Sequence, residues 1–238
     1  MARTSDIARR LFAEFLGTAI LVAGVVGSGI MAQRLSPNDV GLQLLENAIA
    51  TGGILFILIA TLGPVSGAQF NPVVTAADAW FGGLPKRDVL PYLVAQVVGA
   101  CAGAILANLM FGLAAVNIST HVRDGSSTLL SEVVATFGLL LVIFGLVRGA
   151  RSTWIPAAVA SYIVGAYWFT SSTSFANPAV TIGRTLSDTF AGIAPVSVPG
   201  FVVAQCIGAA VAVSAVIVLW PRPSLDHAKA VDVQAENR

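Results

Sequence analysis

Ser174-Phe175-Ala176-Asn177-Pro178-Ala179-Val180 places an Asn-Pro pair inside sequence apolar enough to lie within a bilayer. Proline suits the first turn of a helix, where its missing N–H costs nothing, and the preceding asparagine can cap it. A helix is therefore expected to begin at this point, in mid-membrane, with its positive end and the asparagine amide facing whatever lies in front. Lipid cannot lie there, because unsatisfied backbone groups are too costly, so the motif must line a cavity or be buried in protein. An isolated Asn-Pro is a common turn signal. Here it has a second copy: Ser66-Gly-Ala-Gln-Phe-Asn71-Pro72-Val73-Val-Thr75 stands one half-chain earlier, in register with Asn177-Pro178-Ala179-Val-Thr181.

The halves match elsewhere too. Ala13-Glu14-Phe-Leu-Gly-Thr18 parallels Ser131-Glu132-Val-Val-Ala-Thr136, and Ala95-Gln96-Val-Val-Gly-Ala100 parallels Ala204-Gln205-Cys-Ile-Gly-Ala209. The apolar stretches predict six spans: from about Arg9 to Gln33, Gly41 to Leu62, Val89 to Leu113, Leu129 to Val147, Trp154 to Phe169, and a last one ending near Trp220. Gly63-Pro64 is expected to break the second span, residues 1–8 to form a polar tail, and each Asn-Pro pair to open a half-helix. Three spans per repeat force the second half into the membrane in the opposite sense. The result is one all-helical membrane domain over 1–238, with inverted repeats at about 9–117 and 128–220, a polar tail at 221–238, and a midplane site between the halves.

Composition agrees. Of 238 residues, 56% are hydrophobic and 11% charged, which excludes a disordered chain, and a net charge of +1 gives no electrostatic case for nucleic acid. Cys101 and Cys206 lie in apolar segments without metal-ligand spacing and read as small buried hydrophobes. His121 and His227 fall in polar segments and read as solvated, and no cofactor or metal is expected. Trp80, Trp154, Trp168 and Trp220 sit near span ends, where interfacial anchors belong. In this topology Arg3, Arg9, Arg10, Lys86, Arg87, Arg148, Arg151, Arg222, Lys229 and Arg238 share one side, against Arg34, Arg123 and Arg184 on the other. The first side is therefore cytoplasmic, with both termini inside and the chain in the plasma (inner) membrane.

The paired Asn-Pro segments, the six spans and the flanking motifs together resemble the major intrinsic proteins, the aquaporin and aquaglyceroporin family, over nearly the whole chain. The resemblance implies a homotetramer with one pore per subunit, passive transport and no catalysis. It places Asn71, Pro72, Val73, Asn177, Pro178 and Ala179 at the pore constriction, the asparagines donating to solute oxygens between opposed helix dipoles. Glu14 and Glu132, acids within apolar spans, read either as struts that accept backbone N–H groups of the re-entrant loops or as proton-coupling groups of a secondary transporter. Their equivalent positions in the two repeats favour struts.

The resemblance also carries over four selectivity-filter positions: twenty residues before Asn71, and twelve before, three before and three after Asn177. These are Thr51, Gly165, Ser174 and Val180, and the family's arginine is missing at 180. Three small residues and a valine imply a wide opening without a fixed cation. Arg184 stands one turn beyond Val180, as positive charge at the external mouth or as half of an i,i+4 surface pair with Asp188, the pair being favoured. The reading is a channel in the lipid bilayer for small neutral solutes and water: glycerol-like polyols, or metalloid acids such as arsenite, a traffic the resemblance associates with bacterial relatives. A proton-coupled transporter, a non-conducting scaffold, an ion pore and an anion-permeable pore for organic arsenicals are the alternatives.

Overall fold

The computed structural model describes residues 2–221, with side chains from residue 6. The rest of the expected tail, including Arg222, His227, Lys229 and Arg238, lies outside the described residues. Among the described residues, eight α-helices form two sets of four. The first set is α1 (Ala2–Leu35), α2 (Val40–Ser66), α3 (Pro72–Phe81) and α4 (Lys86–Met110). The second is α5 (Ser126–Arg148), α6 (Ile155–Phe169), α7 (Pro178–Gly183) and α8 (Val198–Leu219).

Among the described residues, five helices exceed the length and hydropathy needed to cross a bilayer: α1, α2, α4, α5 and a span of 195–219 that contains α8. The sixth crossing is short. α6 has 15 residues, about 22 Å of helix, and the 3-10 turn Ser152–Trp154 lengthens it at one end. Trp154 and Trp168 lie exposed near its two ends, the place of interfacial tryptophans.

Two expected boundaries move. Helix begins at Ala2 rather than near Arg9, so most of the polar tail is the first turns of α1. Gly63-Pro64 does not end the second span: α2 runs on to Ser66 and closes at Gly67, whose φ of 94° is one that glycine adopts freely. Pro64 deletes one helical hydrogen bond so near the end of a long helix that the segment continues past it.

The repeats pack alike. α1 lies along α4 and α5 along α8, while α2 meets α6 across the pseudo-symmetry. Gly99 and Gly103 of α4 face the carbonyls of Phe15 and Ala19 with no room for a Cβ, and Gly208 of α8 faces Val133 of α5 in the same way. Polarity is distributed inside out. Glu14, Gln96, Glu132 and Gln205 are fully buried, whereas Val94 and Val98 of α4 and Val203, Ile207 and Val211 of α8 are exposed. Cys206 shares that outer face of α8 and is exposed rather than buried; Cys101 is half-buried, and neither forms a disulfide. An apolar exterior suits lipid, so burial patterns of soluble proteins do not apply to it.

Candidate functional site

Both re-entrant segments reach the middle of the molecule in strained backbone. Ala68 and Phe70 in the first, and Ser174 and Ala176 in the second, have φ of 47–52°, values that L-residues adopt at a cost of roughly 1 kcal/mol each. Two carboxylates over-determine this conformation. Glu14 accepts from the backbone N–H of Gln69 (3.0 Å) and Phe70 (2.7 Å), from Ser66 Oγ (2.6 Å) and from Gln96 Nε2 (2.8 Å). Glu132 accepts from the N–H of Phe175 and Ala176, both at 2.9 Å, and from Gln205 Nε2 at 2.6 Å. These oxygens only accept, and both side chains lie behind the loops, away from the central cavity.

The amides of Gln96 and Gln205 continue each network. They donate to Thr75 Oγ1 and Thr181 Oγ1, both at 2.9 Å, and those hydroxyls donate to the carbonyls of Asn71 (3.0 Å) and Asn177 (2.8 Å). A carboxylate, a glutamine and a threonine thus tie each half-helix start to a spanning helix. The sequence comparison of the halves contained both glutamines without revealing this task, because the partners lie 21 and 24 residues away on another element.

Asn71 and Asn177 cap α3 and α7, with proline first in each helix, as expected. Their Oδ1 atoms accept from Val73 N–H, and from Ala179 and Val180 N–H, respectively. Their Nδ2 atoms cross the pseudo-symmetry: Asn71 donates to Ala176 O at 2.7 Å and Asn177 to Phe70 O at 2.8 Å. One bond uses one of two N–H groups per amide, and both residues line a central cavity of about 210 Å³.

That cavity is a lumen walled by helix faces of four-residue spacing: Thr51, Leu55 and Ile59 from α2, and Ile155, Val159, Ile163 and Tyr167 from α6. Val180 and Ser174 line it as well, and Ser174 Oγ is buried without a partner among the described residues. Gly165 does not. It lies exposed on the outside of α6, where an added Cβ would meet nothing, because two residues from Ile163 turn the helix by about 200°. α6 instead presents Tyr167 to the lumen, and its hydroxyl meets that of Thr51 at 3.1 Å. Ile155, Val159, Ile163 and Tyr167 share that face at i,i+4 spacing, but α6 is apolar all round, so the sequence holds no signal that singles this face out.

Arg184 departs further from expectation. It is 2% exposed, lines the lumen, and forms no pair with Asp188. Its Nε donates to the Ala191 carbonyl, and its guanidinium lies 3.4 Å from the centroid of the Phe175 ring. Asp188 is occupied by Thr120, whose backbone N–H donates at 2.8 Å and whose hydroxyl also bonds it. The residues after α7 fold inward against Phe175, so i,i+4 spacing does not make a surface pair here. A filter without a cation was expected from Val180; the guanidinium comes instead from four residues on.

Loop 117–125 is stitched to residues 185–197, which follow Arg184. Ser119 N–H donates to Thr185 O and Ala194 N–H to His121 O, both at 2.8 Å. Arg123 donates from Nε to Gly192 O and from Nη2 to Phe190 O, with its guanidinium 5.1 Å from the Phe175 centroid. Burial lowers the Arg123 pKa to about 10. Burial and the charges of Arg123 and Arg184 lower that of His121, partly offset by Asp188. Gln69 Nε2 donates to Asp78 at 2.7 Å beside the lumen.

Residues 1–171 match the family model described as Major intrinsic protein. The chain belongs to the major intrinsic protein family. It is 51% identical to an aquaglyceroporin (AqpS) of Rhizobium meliloti over 88% of this chain and 89% of that protein. A glycerol uptake facilitator protein of Streptococcus pneumoniae is 37% identical over 57% of this chain and 63% of its own. Among solved structures, the aquaglyceroporin from Plasmodium falciparum superimposes with a TM-score of 0.67 at 21% identity, covering 87% of this chain and 94% of that one, which shows the shared fold. This major intrinsic protein is a multi-pass membrane channel for small solutes and not an enzyme.

Proposed function

We propose that the lumen passes glycerol-sized polyols, water and undissociated metalloid acids such as arsenite, passively and in both directions. The carrying observation is the pair Asn71 and Asn177, each with one amide N–H spent on the opposite loop and one left beside an otherwise mostly apolar wall. A solute with a hydrocarbon back and a row of hydroxyls matches such a surface: the amides orient its oxygens while Leu55, Val159 and Ile163 meet its carbon side. The names of the aquaglyceroporin and glycerol-facilitator relatives support the polyol part. Arsenite belongs with it because an undissociated hydroxo acid displays a similar set of O–H groups. Glu14 and Glu132 act as struts in this reading, since their oxygens are engaged behind the loops.

The cytoplasmic side is the one bearing Arg9, Arg10, Lys86, Arg87, Arg148 and Arg151, which puts Arg184 and loop 117–125 at the external mouth of a homotetramer in the plasma membrane. Stopped-flow light scattering of proteoliposomes tests the reading. Glycerol and arsenous acid should equilibrate faster than in empty vesicles, at rates indifferent to an imposed pH gradient. Concentrative uptake driven by that gradient, or no glycerol flux from a folded oligomer, would sink it.

A further inference from the structure

Arg184 is a buried cation that forms no ion pair among the described residues. No carboxylate among the described residues lies within ion-pair distance, and the acid that spacing would offer it, Asp188, is held by Thr120. Of its donors, Nε is spent on Ala191 O, and no described residue accepts from either Nη. The face of Phe175 covers one side of the plane and offsets part of the desolvation. Stacking leaves the in-plane Nη edge free, and the residue lines the lumen. Arg123, on the same aromatic ring at 5.1 Å, has its Nε and one Nη engaged by carbonyls, so it adds field rather than a second fork.

A free Nη edge on an anchored, planar guanidinium is shaped for an acceptor with two coplanar oxygens, which is a carboxylate. The surroundings restrict it further. Ser174 Oγ, buried and unpartnered, and the Thr51–Tyr167 hydroxyl pair line the same lumen and supply neutral hydrogen-bonding groups, while Val180 and Ile163 supply apolar wall. A second carboxylate would find no second guanidinium fork on the lumen wall, so the ligand is a monocarboxylate with a small apolar or hydroxylated body. We propose that Arg184 makes the outer end of the lumen a binding site for small monocarboxylates, which occupy it in competition with neutral solute. This rests on the proposed solute path only for the competition, not for the binding.

Two measurements separate those parts. In proteoliposomes at pH 7.5, external lactate, with equal chloride as the control, is expected to slow glycerol flux roughly threefold or more, by occupying the outer end of the lumen. Arg184→Gln, judged against its own lactate-free flux, is expected to lose that response. A parent flux indifferent to lactate, or equal inhibition in Arg184→Gln, overturns the competition. Line broadening of ¹³C-labelled lactate by the detergent-solubilised parent reads binding without any flux. It is expected in the parent and absent in Arg184→Gln. Absence in the parent overturns the site whatever the variants do, and persistence in Arg184→Gln assigns it elsewhere and overturns it equally. Absence of glycerol flux from a parent that still binds lactate would fail the solute-path reading while leaving the site standing.

Discussion

The hydroxyls of Thr51 and Tyr167 meet at 3.1 Å, linking α2 to α6, and both residues line the lumen together with Val180 and Ser174. The bond joins the two repeats at their interface, and it sets an aromatic ring where sequence spacing had put the bare backbone of Gly165. The width available to a solute there therefore depends on the Tyr167 ring, which core packing holds together with the hydroxyl pair.

Replacing Tyr167 with alanine is expected to raise flux of a bulky polyol such as xylitol relative to glycerol, while Tyr167→Phe, which keeps the ring, leaves the ratio near the parent's. The alanine variant should also lose about 3 kcal/mol of stability to the cavity it creates. Paired stopped-flow rates for the two solutes check this, and an unchanged xylitol-to-glycerol ratio in a folded Tyr167→Ala would remove Tyr167 from the constriction.

Glu14→Gln is expected to destabilise more than Glu132→Gln. The first replaces an acceptor of four hydrogen bonds and the second an acceptor of three, and an amide turns one oxygen into a donor that confronts existing donors. A loss of roughly 2 to 3 kcal/mol per lost charged bond is the scale. Thermal unfolding in detergent should order the variants in that way. A Glu14→Gln protein as stable as the parent would show that the re-entrant backbone is held by something else.

Val180→Arg is expected to cut glycerol flux sharply and water flux least. It adds a long cationic side chain to a lumen that already holds the Arg184 guanidinium. Two like charges in a low-dielectric channel repel, so Val180→Arg combined with Arg184→Ala should recover much of the folded yield that the single variant loses. Glycerol flux at the parent's rate through intact Val180→Arg oligomers would mean that residue 180 does not border the path.

Acidification is expected to cost stability through His121. Its pKa is lowered below 6.5 in the folded protein, by burial first and then by Arg123 and Arg184, so between that lowered value and 6.5 the unfolded chain binds more protons. Stability contributed by the neutral imidazole is complete above 6.5 and falls as pH drops from there to the folded pKa. Melting temperatures across pH 5 to 8 should fall at the acidic end, and His121→Asn should remove part of that fall. Parallel curves for parent and variant would leave the acid sensitivity to other groups.

Much of the architecture is local and was therefore legible in residue order. Asn71-Pro72 and Asn177-Pro178 start helices because a capping amide and a proline at the first position are properties of neighbouring residues. Glu14 and Glu132, Gln96 and Gln205 were visible as pairs, since an inverted repeat copies sequence along with structure.

Sequence by itself determined the all-helical membrane class, the two repeats, the asparagine caps and the burial of the paired acids, because an unmatched charge or a broken helix in lipid has few tolerable settings. Only tertiary structure decided which face of α6 meets the lumen, that Tyr167 rather than Gly165 closes on Thr51, and that Arg184 turns inward onto Phe175. The physical reason is that lipid and lumen are both largely apolar. Ile163 faces one and Gly165 the other, so the apolar pattern along α6 carries almost no rotational signal, and packing against α2 and α5 sets the angle instead. Arg184 likewise has no local instruction to bury itself: the ring that receives it is nine residues back, and the carbonyl that anchors it seven ahead.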